Sequence, residues 1–335
     1  MVFSPNYSSD NTLLASSWGC LFKTTNRGKH WQKFWVPRPL RRDSYMIVSP
    51  NFASDRTIYL VTLPGKVLKS IDGGENFSVA GEIGAQAAYI PSLVISPNFA
   101  ADQTLYIGNF TGGIYKSVDG GSTWQPINNG LLAKDNYTKL AISPNYQEDR
   151  TVFAGTAEGL FVTQDGGTSW RKLAGTAYGG DSYIETIAIS PNYQSDRTFI
   201  VSVRGEGLFK TVDGGTTFTQ IGDYLTGPIK FSPSYSVDQT IFSSSGAELY
   251  KTTDGGDTWQ TVVVPKPDYN FLTILYHLLN NSPERRYITA SIAALFGYLL
   301  LGYLNLQKRL PFRKWQLKTS GAFAVFIIVL ILLSV

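Results

Sequence analysis

The sequence predicts an all-β protein, a β-propeller of about six four-stranded blades, followed by two C-terminal transmembrane helices. Three observations lead to this prediction. A turn phrase of Ser or Thr, one variable residue, Asp, Gly, Gly and a closing aromatic returns six times, at a step of roughly 41 to 48 residues. A second phrase, Ser-Pro-Asn before Tyr or Phe, keeps the same step, and two long uncharged runs end the chain. Self-similarity at this period indicates a repeat architecture.

The turn phrase predicts a tight hairpin between the third and fourth strands of each unit. Asp tolerates left-handed backbone angles and bonds to amides ahead of it, while Gly takes positive φ without penalty. The Ser or Thr hydroxyl adds a stiffening bond, and the closing aromatic is expected to pack beneath the turn. The six copies are Thr24–Trp31, Ser70–Phe77, Ser117–Trp124, Thr163–Trp170, Thr211–Phe218 and Thr252–Trp259. The predicted structural turn residues are Asn26, Asp72, Asp119, Asp165, Asp213 and Asp254.

The second phrase and the apolar runs around it complete each unit. The phrase begins at Ser4, Ser49, Ser96, Ser143 and Ser190 and, as Ser-Pro-Ser-Tyr, at Ser232, and an Asp and a Thr follow each copy. Strand-length apolar runs lie between the two phrases, and in the fourth unit they are Leu140–Ser143, Thr151–Gly155, Gly159–Thr163 and Trp170–Leu173. Four short strands per unit are typical of one propeller blade. The repeats carry no helical period, which argues against a helical solenoid.

The turn phrase resembles the Asp-box, or bacterial neuraminidase repeat, whose pattern is Ser/Thr-x-Asp-x-Gly-x-x-Trp/Phe. The first copy departs from the pattern, with Asn26 and Arg27 in place of Asp and Gly. A box in every blade is similar to the propellers of photosystem II assembly factors, the sortilin ectodomain and the xyloglucanases. The resemblance covers residues 1 to about 265. It implies a fold far more than a function, because this box is structural wherever it occurs.

Two apolar runs predict the membrane segment. Residues 288–306 are long enough to cross a hydrocarbon core, whereas residues 319–335 are marginal. Two buried core helices are the alternative interpretation. Ahead of the runs, Tyr269–Leu279 fits an interfacial helix and a plain linker helix equally well. The predicted domains are a propeller at 1–266, a juxtamembrane segment at 267–286, and two transmembrane helices with a basic loop at 287–335.

The charge distribution supports this division. The tail from Pro267 holds seven basic residues against two acidic ones, a net of +5, while the whole chain is +4. The high pI therefore reflects juxtamembrane basicity, and no nucleic-acid partner is predicted. Five basic residues lie between the apolar runs: Lys308, Arg309, Arg313, Lys314 and Lys318. The positive-inside rule places them in the cytoplasm and the propeller in a periplasmic, lumenal or extracellular space.

The N-terminus conflicts with an exported propeller. Met1 lies only three residues before the first Ser-Pro-Asn phrase, with no basic region and no apolar signal stretch. We expect a fragment or a misassigned start, in which case a parent of seven or more blades is the alternative to six. If the chain is complete, the propeller is cytosolic and the loop charges break the rule.

The search for chemistry predicts no catalytic residue, no metal and no cofactor. His30 and His277 are the only histidines, too few for a catalytic triad or a histidine metal cluster. Cys20 is the only cysteine and is expected to be a small buried hydrophobe. A carboxylate pair, as a glycosidase needs, is the remaining alternative. Its candidates are Asp43, Glu158, Asp181, Glu185 and Glu206.

Blade geometry predicts where a partner binds. Antiparallel strands place both phrases at one rim, and the loops between strands two and three and between blades at the other. That second rim varies and is rich in Tyr, Trp and Arg, which dominate protein interfaces and also stack on sugars. Its candidate residues are Trp18, Trp35, Arg38, Arg41, Arg42, Tyr45, Tyr89, Phe110, Tyr137, Glu158, Tyr178, Tyr183, Arg204, Glu206 and Tyr224.

Together these features predict a membrane-tethered, non-catalytic propeller that acts as a protein-binding or complex-assembly module. A glycan-binding or glycan-hydrolysing propeller is the first alternative. The sensor half of a truncated larger membrane protein is the second.

Overall fold

A computed structural model describes residues 1–17, 20–36, 45–62, 65–84, 92–110, 113–131, 138–173, 182–246 and 248–263. These residues form six four-stranded antiparallel sheets. The first three sheets contain β1 Val2–Phe3, β2 Leu13–Ser17, β3 Cys20–Thr24 and β4 Gln32–Trp35; β5 Tyr45–Val48, β6 Ile58–Val61, β7 Lys66–Ser70 and β8 Ser78–Glu82; and β9 Ser92–Ile95, β10 Leu105–Asn109, β11 Gly113–Ser117 and β12 Gln125–Pro126.

The last three sheets repeat the same order. They contain β13 Lys139–Ile142, β14 Val152–Thr156, β15 Gly159–Thr163 and β16 Arg171–Leu173; β17 Ile184–Ile189, β18 Phe199–Val203, β19 Gly207–Thr211 and β20 Thr219–Gly222; and β21 Lys230–Phe231, β22 Ile241–Ser245, β23 Glu248–Thr252 and β24 Gln260–Val262. In every sheet each strand pairs with the next strand in sequence. The predicted all-β, six-bladed propeller is therefore confirmed.

A single helical turn follows the first strand of each sheet. The six turns are α1 Tyr7–Asp10, α2 Phe52–Asp55, α3 Phe99–Asp102, α4 Tyr146–Asp149, α5 Tyr193–Asp196 and α6 Tyr235–Asp238. In α4 the Ser143 hydroxyl donates to Asp149 Oδ2 at 2.6 Å, and the Thr151 amide donates to Asp149 Oδ1 at 2.8 Å. This carboxylate bridge explains why an Asp and a Thr follow each copy of the phrase. The sequence shows that these residues recur, and the structure shows the reason.

The Asp turn between the third and fourth strands is held by its own side chains. Asp119 Oδ1 accepts the Ser117 hydroxyl at 2.8 Å and the Thr123 amide at 2.9 Å, and Asp119 Oδ2 accepts the Thr123 hydroxyl at 2.6 Å. The Ser117 hydroxyl in turn accepts the Gly121 amide at 2.9 Å. In the first copy the single side-chain oxygen of Asn26 accepts both the Thr24 hydroxyl and the His30 amide at 2.9 Å.

Consecutive sheets pack face to face through buried apolar side chains. Between the second and third sheets, Tyr59 and Val67 meet Leu105 and Ile107, and all four are fully buried. In the second to sixth sheets, the second glycine of the Asp turn lies against side chains of the preceding sheet. Gly74 has a φ of +97°, and a Cβ there would lie 2.1 Å from Leu21 Cδ2 of the preceding sheet. Only glycine fits this position, because both the backbone angle and the neighbour exclude a side chain.

The two kinds of turn lie side by side and define one rim of the propeller. The Gly166 amide of the fourth Asp turn donates to the carbonyl of Arg150, the residue that ends α4, at 3.1 Å. The other described sheets repeat this contact, for example from Gly73 to Arg56 at 3.0 Å. We call this edge the turn rim. The opposite edge, where the loops between second and third strands and between sheets lie, is the loop rim.

The C-terminal predictions fall outside the described residues. These predictions are the juxtamembrane segment at 267–286 and the two membrane spans within 287–335. Among the residues that the structure describes, no helix is long and apolar enough to span a bilayer. The domain bounds and the transmembrane helices therefore stay predictions.

The Asp turn generates a first test. We expect Asp119→Ala to lower the free energy of unfolding by about 1 to 2 kcal/mol, because it removes the acceptor of several hydrogen bonds at a partly hydrated site. Val118→Thr is the matched control, since Val118 is 62% exposed in the same turn and should change stability little. Urea unfolding followed by tryptophan fluorescence measures both. Equal midpoints for Asp119→Ala and the control would contradict the structural role of the carboxylate.

The same carboxylate predicts a pH dependence. The hydrogen bonds from the Thr123 hydroxyl and amide lower the pKa of Asp119 to about 2, from an ordinary value of 3.8. Because the folded-state pKa is depressed, the stabilisation is complete above about pH 4 and is lost as the pH falls through about 2. The stability difference between the wild type and Asp119→Asn should therefore shrink between about pH 4.5 and pH 2.5, as measured by thermal unfolding. A stability difference that stays constant from about pH 4.5 to pH 2.5 would contradict a lowered pKa of Asp119 in the folded state.

Candidate functional site

The structure describes about half of the predicted loop-rim residues. Those described are Trp35, Tyr45, Phe110, Glu158, Tyr183, Arg204, Glu206 and Tyr224. Those outside the described residues are Trp18, Arg38, Arg41, Arg42, Tyr89, Tyr137 and Tyr178, together with the candidate carboxylates Asp43 and Asp181. Binding roles for all of them stay predictions, and only the positions of the described residues can be compared with the predicted rim.

One cluster forms at the loop-rim end of the fifth sheet. Arg204 lies in the hairpin between β18 and β19, and its Nε donates to Glu185 Oε1 at 2.7 Å. Its guanidinium carbon lies 3.7 Å from the centre of the Tyr183 ring. The Arg204 amide also donates to the Tyr183 carbonyl at 2.9 Å. Backbone and side chain therefore both fix the arginine over the ring, and its side chain is still 59% exposed.

A β-bulge places the carboxylate of this cluster. In the pairing of β17 with β18, Ile184 lies opposite Val203 and Thr186 opposite Ser202, so that Glu185 is the extra residue. A bulge turns the side chain of the extra residue away from the regular alternation. Here it brings Glu185 to Arg204, and the resulting hydrogen bond raises the pKa of the arginine above its ordinary value. Alternation alone does not predict this contact, and a bulge leaves no mark in a single sequence.

The same hairpin fixes Glu206. Ser182 donates its hydroxyl to Glu206 Oε1 at 2.7 Å, and the Gln220 side chain donates to the Glu206 carbonyl at 2.6 Å. Gly207, the next residue, has a φ of +99°, and a Cβ there would lie 2.0 Å from the Gly222 carbonyl oxygen. The glycine therefore lets β19 and β20 approach closely beside Glu206.

The remaining described residues lie apart from this cluster. Trp35 is 73% exposed with the Lys33 ammonium 4.4 Å from its ring centre, and Phe110 is 38% exposed. Tyr224 is 52% exposed and meets the Tyr250 ring edge-on at 5.6 Å. Each of these therefore presents an aromatic surface to solvent.

Tyr45 makes a contact with a residue of another sheet. The Lys139 ammonium donates to the Tyr45 hydroxyl at 2.7 Å and lies 5.1 Å from its ring centre. The two residues begin β5 and β13, the first strands of the second and fourth sheets. The contact therefore joins two sheets that are not neighbours in sequence, at the loop-rim end of their first strands.

The chemistry of the cluster suits recognition better than proton transfer. Glu185 is paired with Arg204, and Glu206 accepts the Ser182 hydroxyl. Glu158 lies separately, in the hairpin between β14 and β15, where its amide donates to the Thr156 hydroxyl at 3.1 Å. Within the described ranges, no three His, Cys, Asp or Glu side chains are grouped closely enough to hold a metal ion. What the cluster offers a ligand is a fixed cation on an aromatic ring, a common way to bind carboxylates and aromatic groups.

Comparison with known proteins supports the fold. No family model matches the sequence, and no curated protein matches it. Among solved structures, the GH74 xyloglucanase from Xanthomonas campestris is 19% identical, with a TM-score of 0.58 over 78% of this chain and 45% of that one. YCF48 bound to D1 peptide is 16% identical, with a TM-score of 0.55 over 75% and 78% of the two chains.

A third similar structure is the extracellular domain of the putative one component system BT4673 from B. thetaiotaomicron. It is 12% identical, with a TM-score of 0.57 over 78% of this chain and 33% of that one. The chain spans less than half the length of the GH74 enzymes that it matches. Similarity at these identities shows the fold alone. The described residues thus form a propeller whose fold is similar to those of GH74 xyloglucanases, YCF48 and BT4673, and the similarity to xyloglucanases is one that the turn phrase predicts.

Proposed function

We propose that this chain is a membrane-tethered, non-catalytic propeller that binds a protein partner at its loop rim. The observation that carries the proposal is the cluster of Tyr183, Glu185 and Arg204 on the fifth sheet. Its arginine is fixed by a hydrogen bond at 2.7 Å and a ring contact at 3.7 Å, and yet is more than half exposed. A side chain already held in place loses little conformational entropy when a partner binds.

The composition of the rim indicates the kind of partner. Arg, Tyr and Trp are the residues that contribute most at the centres of protein interfaces. An arginine that stacks on a tyrosine matches a partner carboxylate flanked by an aromatic or flat group. We therefore expect an acidic, aromatic-containing peptide segment as the ligand. YCF48, a propeller of similar fold, has been seen with a D1 peptide, which supports peptide binding as a use of this architecture.

Glycan binding is the second candidate. Trp35 and Tyr224 present exposed aromatic surfaces that suit sugar stacking, and GH74 enzymes share the fold. Catalysis on a glycan is less favoured, because Glu185 is paired with a cation and Glu206 is hydrogen-bonded to a hydroxyl. A glycosidase needs one of its two carboxyl groups to act as an acid and the other to face the sugar or a water.

The tether is proposed from length and charge. Residues 288–306 and 319–335 would cross the membrane, and the basic loop from Lys308 to Lys318 would lie in the cytoplasm. The propeller would then lie in the periplasm, a lumen or the extracellular space. Partner proteins of that compartment would then reach the loop rim.

The peptide proposal is tested with the full-length chain in a mild detergent. Binding to an array of acidic, aromatic-containing peptides is quantified by fluorescence anisotropy for the strongest binders. We expect Arg204→Gln to weaken binding by about tenfold, the usual effect of losing one charge-assisted hydrogen bond.

Arg150→Gln is the matched control for that experiment. Arg150 also stacks on a tyrosine, at 5.6 Å from the Tyr146 ring, but it lies on the turn rim. Gln occupies the same left-handed position in two other turns, at Gln103 and Gln239, so the control should fold normally. Equal losses in both variants would contradict a loop-rim site. Cleavage of xyloglucan oligosaccharides by the purified chain would favour the hydrolase instead.

Topology is tested by thiol accessibility in cells that express the full chain. In a Cys20→Ala background, a membrane-impermeant maleimide should label Gln164→Cys, an exposed turn position, before permeabilisation. Lys314→Cys, in the basic loop, should be labelled only after it. The reverse order, or recovery of the chain in the soluble fraction, would contradict the proposed tether and orientation.

A further inference from the structure

A cavity of about 370 Å³ lies on the turn rim between the fifth and sixth sheets. Its walls come from α5, β19 and α6 with the residues that flank them, and its polar side chains include Asn192, Asp196, Lys210, Tyr235 and Gln239. The volume falls within the range of small-molecule sites, about 300 to 1,000 Å³. The cavity is on the opposite rim from the Arg204 cluster and is therefore a separate candidate site.

A change at one position of the repeat accounts for this cavity. At the second residue of their second strands, the second, third and fourth sheets have the aromatic side chains Tyr59, Tyr106 and Phe153. Each ring meets an aromatic ring of the next helical turn edge-on, with ring centres 5.8 to 5.9 Å apart. The fifth sheet has Ile200 at this position, in one buried cluster with Tyr235. Because isoleucine is shorter than an aromatic residue, it does not fill the space that the outer part of the ring takes elsewhere.

The same change leaves a buried hydroxyl group unpaired. Between the third and fourth sheets, the Tyr106 and Tyr146 hydroxyls lie 2.5 Å apart, and Tyr106 also donates to the Gly166 carbonyl at 2.8 Å. Tyr235 takes the position of Tyr146 in the sixth sheet, where Ile200 offers it no hydroxyl. Among the described residues, the Tyr235 hydroxyl has no hydrogen-bond partner, although the residue is only 3% exposed. A buried polar group of this kind is costly unless a water or a ligand pairs with it.

The turn carbonyl beside Tyr235 also has an unused acceptor site. The Gly166 carbonyl accepts a lysine and a tyrosine, both at 2.8 Å, one for each lone pair. The Gly255 carbonyl accepts Lys210 at 2.9 Å, and the described residues supply it with no second side-chain donor. The groups lie close together, since a Cβ at Gly255 would lie 3.0 Å from the Lys210 nitrogen and 3.5 Å from the Tyr235 hydroxyl oxygen. One ligand group can therefore reach both the carbonyl and the hydroxyl.

The rest of the wall offers further acceptors. Asp196 accepts the Ser190 hydroxyl at 2.5 Å on one oxygen and the Thr198 amide at 2.8 Å on the other, so each oxygen keeps a lone pair. The Gln239 side-chain nitrogen donates to the Tyr235 carbonyl at 3.0 Å, which leaves its oxygen to accept. The Ser, Thr and Asp side chains of the repeat thus keep their structural bonds and still present acceptors to the cavity.

Charge favours a neutral ligand. Burial, with smaller effects of Asp196 and Asp257, raises the pKa of Tyr235 to about 12, so its hydroxyl stays protonated and can donate. The two carboxylates disfavour an anion in the cavity, and the Lys210 ammonium disfavours a cation.

We propose that this cavity binds a neutral polyhydroxy compound of the size of a monosaccharide or a cyclic polyol. One ligand hydroxyl takes the place of the Tyr106 hydroxyl, so that it accepts from Tyr235 and donates to the Gly255 carbonyl. Its neighbouring hydroxyls accept from the Lys210 ammonium and donate to the Asp196 carboxylate. A hydroxyl suits these partners because it donates and accepts through a single neutral atom.

Saturation-transfer NMR tests the proposal with the full-length chain in a detergent that has no sugar head group. The probes are glucose, galactose, xylose and myo-inositol, and we expect saturation transfer to at least one of them. Tyr235→Phe should weaken binding of that probe about tenfold, because the ligand hydroxyl loses its donor. Phe52 and Phe99 have the same position in the second and third sheets, so this variant should fold. A lack of transfer to all four probes would overturn the proposal.

Tyr193→Phe is the matched control for that variant. Tyr193 has the same position in the helical turn of the fifth sheet, but it is not among the residues that line the cavity. The control should bind the probe as the wild type does. Equal losses in the two variants, or unchanged binding in Tyr235→Phe, would overturn the proposal.

Ile200→Tyr fills the cavity from within the sheet. It restores the ring and the hydroxyl that Tyr106 provides between the third and fourth sheets, and we expect it to abolish binding of the probe. Circular dichroism and peptide anisotropy should stay as in the wild type, because the Arg204 cluster lies on the other rim. Probe binding that persists in a folded Ile200→Tyr chain would overturn the cavity as the site, whatever the outcome for the peptide.

Discussion

A side-chain carboxylate that fixes a backbone turn is the interaction on which the rest of this propeller depends. In each complete Asp turn the carboxylate accepts a Ser or Thr hydroxyl and at least one backbone amide of the residues after it, for example the amide of Thr123 at Asp119. The turn so fixed exposes the carbonyl of the first glycine toward the preceding sheet, where Lys116, Lys210 and Tyr59 donate to the turns at Gly166, Gly255 and Gly120. The turn Asp therefore shapes its own turn and also positions the carbonyl that the preceding sheet contacts.

The free energy that holds consecutive sheets together nonetheless comes mainly from apolar burial. Each contact between consecutive sheets buries several large side chains. A buried Leu, Val or Phe contributes about 1.5 to 3 kcal/mol to the free energy of folding. One neutral or charge-assisted hydrogen bond contributes about 0.5 to 3 kcal/mol. In the fourth sheet, Phe153 and Val162 stand where other sheets have Tyr59 and Lys116 as donors, and the fourth and fifth sheets still pack through a buried apolar cluster. Packing therefore suffices there without the hydrogen bond. The hydrogen bond adds a directional contact to this packing, from a lysine or tyrosine of one sheet to a turn carbonyl of the next.

This division of roles explains what the sequence predicts and what it does not. The period, the strand count and the Asp turns follow from residues that recur, and recurrence is visible in one chain. The Ser143 to Asp149 contact is visible as a recurring pair but not as a bond, since spacing alone does not show a helical turn between them. The Glu185 bulge is local to one sheet, and no repeat reveals it. Among the predicted rim residues, Tyr45 accepts a hydrogen bond from Lys139 of another sheet, and composition alone does not reveal that contact.

The contrast between the two rims accounts for where new binding chemistry arises. On the turn rim the Ser, Thr and Asp side chains of the two phrases hold their own backbone, so substitutions of these residues act first on folding. On the loop rim the sheets end without a common motif, and their ends are free to differ. In the fifth sheet the extra residue is Glu185, and the bulge turns its side chain toward Arg204 while the strands around it keep their pairing. Because the turn rim keeps the fold rigid, a single bulge on the loop rim can fix an exposed cation there and leave the fold intact.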